Sequence, residues 1–186
     1  MTFRKIAAIG IAGLAATLIG GAAQAAVTVL GNSIARSCYE NAEFGGDVRE
    51  GLRVCTLALD ETATTPHDRA ATLINLGIIQ SRNDDANGAL YSYDRGLAVD
   101  PTLGEGYVDR GAAELMLKDY RAALADFDKG LQLNANKPEI AYYDRAIANE
   151  ALGNIRDAYI DYKKAVEIRP DFALATQQLS RFKVVR

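Results

Sequence analysis

The sequence contains no tryptophan, a single histidine (His67), two cysteines (Cys38 and Cys55), two methionines and four prolines among 186 residues. One histidine and two cysteines are too few for a zinc site built from those side chains, or for an iron–sulfur cluster. An excess of basic residues is also missing: 21 Lys and Arg stand against 24 Asp and Glu, a formal net charge of −3. That balance argues against nucleic acid, whose phosphates need a basic patch to neutralise them. There is no Gly-x-Ser-x-Gly, no Gly-x-Gly-x-x-Gly, no phosphate loop and no metal-ligand spacing. His67 lies beside Asp68 at a helix start, with no second histidine or nucleophile motif near it, and reads as a surface residue. The chain therefore does not read as an enzyme, and no cofactor or metal is implied. What is present is a hydrophobic fraction of 49% and a charged fraction of 24%, enough for one ordinary domain or an array of small repeats.

The first 25 residues carry Arg4 and Lys5 and no acid, followed by an apolar run from residue 6 to about residue 21 and then Ala23-Gln24-Ala25. A positive start, an apolar middle and small residues flanking one arbitrary residue read as a secretory signal peptide, residues 1–25. The alternative is an uncleaved inner-membrane anchor, because residues 6–26 are just long enough to span a bilayer. The weakly apolar Gly and Ala content and the fitting cleavage site favour removal. No cysteine stands at the cleavage point, which closes the lipoprotein route. Removal of 25 residues that include Arg4 and Lys5 leaves 161 residues with a net charge of −5. Residues 26–32 are then a short linker. The expected compartment is the periplasm, with no membrane insertion after cleavage.

Residues 33–60 read as two short helices. Asn32 and Ser33 can cap the first, with Ile34, Ala35, Cys38 and Ala42 as a rough apolar stripe, and Gly45-Gly46 breaks it. Asp47 and Glu50 resemble a capping box, and Val48, Leu52, Cys55 and Leu59 share a face of the second helix. Cys38 and Cys55 are nearly equidistant from the glycine break, so an antiparallel helix pair sets them opposite each other. In an oxidising compartment they form a disulfide; the alternative is two small buried thiols. A Cys-x-x-Cys redox spacing is missing.

From Pro66 the sequence copies itself. Leu76-Gly77 aligns with Arg110-Gly111 after 34 residues and with Arg145-Ala146 after 35 more. The same shifts relate Ala89, Ala123 and Ala158, and likewise Tyr93, Phe127 and Tyr162. The extra residue fits in the turn at 134–138. Each copy parses into two helices, marked by Thr65-Pro66-x-Asp68, Thr102-x-x-Glu105, Asp119, Pro138, Gly153 and Asn154-x-x-Asp157. No alternating β-branched run interrupts them, so the fold class is all-α. The copies cover residues 66–101, 102–135 and 136–171. Residues 172–186, apolar at 172, 175, 179 and 182, read as a C-terminal capping helix.

These residues resemble the tetratricopeptide-repeat family. Its marks are the small eighth residue (Gly77, Gly111, Ala146), Ala at the twentieth (Ala89, Ala123, Ala158), an aromatic at the twenty-fourth (Tyr93, Phe127, Tyr162) and Pro at the thirty-second (Pro101, Pro170). Leu73, Tyr107 and Tyr142 stand for the large fourth residue. The departures are Ala135 in place of the middle Pro, Gly96 and Gly130 in place of Ala, and Gln80, Glu114 and Asn149 in place of the usual Tyr at the eleventh position. The resemblance implies stacked helix hairpins in a right-handed superhelix, with residues 33–60 as a degenerate repeat. Most of the nine tyrosines then fall at packing positions. Asp109-Arg110 and Asp144-Arg145 recur with Asp126 and Asp161, which reads as an ion pair between the two helices of each repeat rather than as a catalytic motif.

The resemblance further implies a protein-interaction module whose repeats present a concave groove through the first helix of each. Ile74 and Ile78, Val108, Ala112 and Leu115, and Tyr143 and Ile147 are its expected lining, with Ala71, Ser81, Glu105, Ile140 and Glu150 beside them. Members that grip a terminal carboxylate place Lys, Asn or Arg at several such sites. Here the positions are mostly apolar, which points to an amphipathic helix or an apolar extended segment of another protein. The C-terminal helix filling the groove is the alternative at these positions. For the whole molecule the alternatives are a self-associating envelope scaffold and an accessory subunit of an envelope enzyme.

Overall fold

A computed structural model describes residues 2–5, 26–28, 33–61 and 65–185. Residues 6–25 of the expected signal segment, residues 29–32 of the linker and residues 62–64 lie outside the described residues. The chain divides into two compact units, Gln24–Lys137 and Pro138–Arg186, the second joined by the N-terminal strand.

The first unit holds six helices: α1 (Ser33–Phe44), α2 (Val48–Asp60), α3 (Pro66–Arg82), α4 (Ala86–Val99), α5 (Gly104–Met116) and α6 (Tyr120–Gln132). They pack as successive antiparallel hairpins, α1 with α2, α3 with α4 and α5 with α6. Cys38 and Cys55 form the expected disulfide, with Cα atoms 4.7 Å apart, and both are fully buried. Residues 70–79 of α3 are apolar or small on nearly every side, and each of them is buried, because α1, α2, α4 and α5 all touch this helix. One continuous core runs from Val27, Ala35 and Cys38 through Ile74, Ile78 and Ile79 to Tyr93 and Leu97. The small residue at Gly77 is a packing requirement: a Cβ there would lie 2.5 Å from the Tyr93 ring.

The second unit contains α7 (Pro138–Ala151), α8 (Ile155–Ile168) and α9 (Ala173–Leu179). Its core joins Ile140, Tyr143, Ala146, Ala158, Tyr162, Phe172 and Phe182. The capping helix expected over 172–186 is shorter than its apolar pattern suggests. It ends at Leu179, and Phe182–Val185 (β2) pairs antiparallel with Thr2–Lys5 (β1). The chain leaves the helix so that Phe182 reaches the Tyr159 and Tyr162 rings, at 5.8 and 5.9 Å between centroids.

Capping explains most boundaries. Asp47 accepts from the Glu50 amide, Thr65 from the Asp68 amide behind Pro66, Asp85 from Gly88 and Asp119 from Ala122. The Thr102–Glu105 box does not form. Asp100 takes both the amide and the hydroxyl of Thr102, Glu105 accepts from the Asn136 amide, and α5 begins instead at Gly104 with no side-chain cap. Asn154 is likewise drawn to Asn149 and caps α8 without a side-chain bond. The connection from α6 to α7 is one residue longer than that from α4 to α5, which places the extra residue of the third copy in the turn at 133–137. Among the described residues no helix is long and apolar enough to cross a membrane.

Candidate partner-binding surface

The first helix of each repeat carries the expected lining, and burial sorts those residues. Ile74 and Ile78 are fully buried. Ile74 fills the space over Gly96 and Gly106, where an added Cβ would come within 2.8 Å of its Cδ1. Val108 packs the same way over Gly130. The glycines at the twenty-seventh position thus answer the branched side chains at the fifth, and both branched residues belong to the helix interface. The lining expected at Ile74, Ile78 and Val108 is corrected accordingly: these side chains are core. Tyr143 is 5% exposed and packs against Phe172, the residue that precedes α9, ring to ring at 5.0 Å. Ala112, Leu115 and Ile147 stay half-buried and accessible.

In the first repeat that face is covered by the chain itself. The Asn75 side chain, fully buried on α3, holds the backbone of Val27 through two hydrogen bonds. The Val27 amide donates to Asn75 Oδ1 at 2.9 Å, and Asn75 Nδ2 donates to the Val27 carbonyl at 2.8 Å. Sequence reasoning missed this clasp because it joins residues 48 apart through an amide with no motif around it. The register offers one signal: Asn75 aligns with Asp109 and Asp144, so one position carries a buried short polar side chain in every repeat.

Two carboxyls on the first helices are raised by burial. Burial pushes the Asp144 carboxyl up to about 7. Burial, then the neighbouring Asp126 charge, pushes Glu114 to about 7 as well. The basic groups nearby are committed. Arg110 forks onto Asp126 at 2.6 and 2.8 Å and reaches Asp94 at 2.7 Å, and Arg145 forks onto Asp161 at 2.9 and 2.6 Å. These are the pairs expected from the repeat register, and they lie between helices where a structural tie belongs. His67 hydrogen-bonds Asp100 at 2.9 Å on the exposed start of α3. Among the described residues no three His, Cys, Asp or Glu side chains converge as a metal site.

No family model matches the chain. Over 87 residues it is 32% identical to serine/threonine-protein phosphatase 5 of Rattus norvegicus, which is 47% of this chain and 17% of that protein. The chain therefore spans under a fifth of the length of that curated relative. The crystal structure of MamA has a similar fold, with TM-score 0.64 and 24% identity over 76% of this chain and 80% of that one. The first TPR of Spaghetti (RPAP3), solved bound to the HSP90 peptide SRMEEVD, matches with TM-score 0.57 and 26% identity over 60% of this chain and 87% of that one.

Proposed function

We propose, since this chain belongs to the tetratricopeptide-repeat family, that it is an exported protein-binding module that holds a segment of another protein against the first helices of its repeats. The observation that carries this reading is the Asn75 clasp on Val27, because it is a backbone from outside the repeats held by hydrogen bonds to the first helix of a repeat. Ala112 and Leu115 on α5 supply the apolar contacts left accessible in the first unit, and Ile147 on α7 supplies one in the second. Export rests on residues 1–25, and the periplasm is the compartment their composition favours. The module reading leaves catalysis to whatever it binds.

The test is capture from the native envelope by the immobilised mature chain, set beside Leu115→Asp, Ile147→Asp and the control Tyr91→Asp, a residue 65% exposed on α4. The first two variants should lose a partner that the wild type and the control both retain. An unchanged set of partners in all three, with helical circular dichroism intact, rejects the surface. A second reading, self-association as an envelope scaffold, is supported by exposed apolar side chains on the second unit, Leu152, Ile160 and Ile168. Sedimentation at several concentrations decides it, because a monomer at tens of micromolar removes it.

A further inference from the structure

We propose that Glu43 and Asn75 form a receiving site for the chain's own processed N-terminus, the α-ammonium of Ala26. The proposal rests on the export reading, in which the peptide bond after Ala25 is cut. In that hydrolysis, carried out by an envelope signal peptidase, water gives its hydroxyl to the Ala25 carbonyl carbon and a proton to the Ala26 nitrogen. The nitrogen then takes another proton from solvent and becomes a cation.

The geometry for that cation is already in place. The Ala26 nitrogen lies 3.3 Å from Glu43 Oε2. The next residue is fixed in register by the two Asn75 hydrogen bonds, and its side chain is 7% exposed within the core of the first unit, so the terminus cannot slide. A carboxylate facing a neutral amide proton makes a modest contact. Facing an ammonium at the same distance, it makes a charge-assisted one. Glu43 has a need for that partner, since it stands in the last turn of α1, where the helix dipole disfavours negative charge and no basic residue of that turn offsets it; Arg36, the basic residue of α1, pairs with Glu40. Lys137 reaches the other carboxylate oxygen at 3.4 Å. From α3, neutral Asn75 holds the backbone of the next residue, Val27. Of the charged groups of α3, Asp68 accepts from the Thr65 hydroxyl, Arg69 donates to the Leu59 carbonyl and Arg82 donates to the Asn41 carbonyl. The cleavage point read from Ala23-Gln24-Ala25 and the nitrogen that faces Glu43 coincide to the residue, although one comes from the sequence pattern and the other from side-chain placement.

The site makes cleavage a structural event: release of residues 1–25 creates the charge that locks residues 26–28 under the stapled hairpin. The experiment uses the full-length gene expressed in export-competent cells and the chain recovered from the periplasm. Intact mass reports the first residue and so tests the export reading by itself. NMR titration of the Ala26 methyl group then reports the α-amine. Its pKa should lie about one unit above the ordinary 7.7–8.0 of an α-amino group. Glu43→Gln should return it to that range, and Lys137→Ala, which removes a competing cation, should raise it further. An ordinary value that Glu43→Gln does not move overturns the receiving site even if the mass places Ala26 first. A mass that still includes Met1 overturns the export reading and this site together, and a cleaved chain that begins at a residue other than Ala26 overturns the site alone.

Discussion

Glu114 stands at the eleventh position of the second repeat, where the other repeats carry neutral side chains that tie their two helices together. Gln80 accepts from the Ser92 hydroxyl at 2.6 Å, and Asn149 donates to Asp161 at 3.2 Å. Glu114 is an acid held near another acid, and one of its oxygens is buried without a hydrogen-bond partner. With its carboxyl raised from 4.5 to about 7, the folded chain keeps a proton that the unfolded chain has released. That contribution is fully present below the unfolded value and is lost as pH rises through about 7. Glu114→Gln should therefore raise the urea midpoint at pH 8, by the equivalent of about 1 kcal/mol after allowance for solvent screening at a half-buried site, and change it little at pH 5. Arg145→Ala should act in the opposite direction. Asp161 is 3% exposed, and removing the fork that neutralises it costs about 3 kcal/mol, read as a lower urea midpoint. Both Arg–Asp pairs were legible in the sequence because they recur at fixed spacing. The anomaly at Glu114 was legible only as a departure, since its neighbours are set by packing.

Between the two helices of each repeat the chain turns through one left-handed residue: Asp84 at φ 58°, Lys118 at φ 64° and Gly153 at φ 82°. Only the third copy uses glycine, which adopts that conformation without a Cβ penalty. Lys118→Gly should raise the melting temperature, relieving about 1 kcal/mol of backbone strain. The stapled hairpin is the other element with a measurable contribution. Reducing Cys38–Cys55 should lower the urea midpoint by the equivalent of about 3 kcal/mol in the chain-entropy description. Helix starts were readable where the cap is local, as at Asp47, Thr65 and Asp119. They were misread at Thr102, where a nearer acid, Asp100, won the hydroxyl. The end of α9 was hidden for a similar reason. Phe182 continues the helical stripe in sequence, yet aromatic contacts with Tyr159 and Tyr162 draw it out of the helix.

At the scale of the whole molecule, repeat number, register and fold class followed from a 34-residue self-similarity that packing enforces in every copy. The accessible part of the expected groove lining was legible only in part. Carrying groove positions across three repeats treats them as equal, whereas Ile74, Ile78 and Tyr143 are covered from outside the repeat pattern, by α1 and by Phe172, or filled by local packing. What remains accessible is Ala112, Leu115 and Ile147. The most direct test of a binding surface on the first helices is photocrosslinking in living cells, with a photoreactive amino acid at position 115 and, for comparison, at exposed position 91 of α4. The expected result is a discrete protein adduct from position 115 that position 91 does not give and that Ala112→Asp suppresses. Identical adducts from both positions, or none from 115 in a chain that is folded and exported, would contradict it.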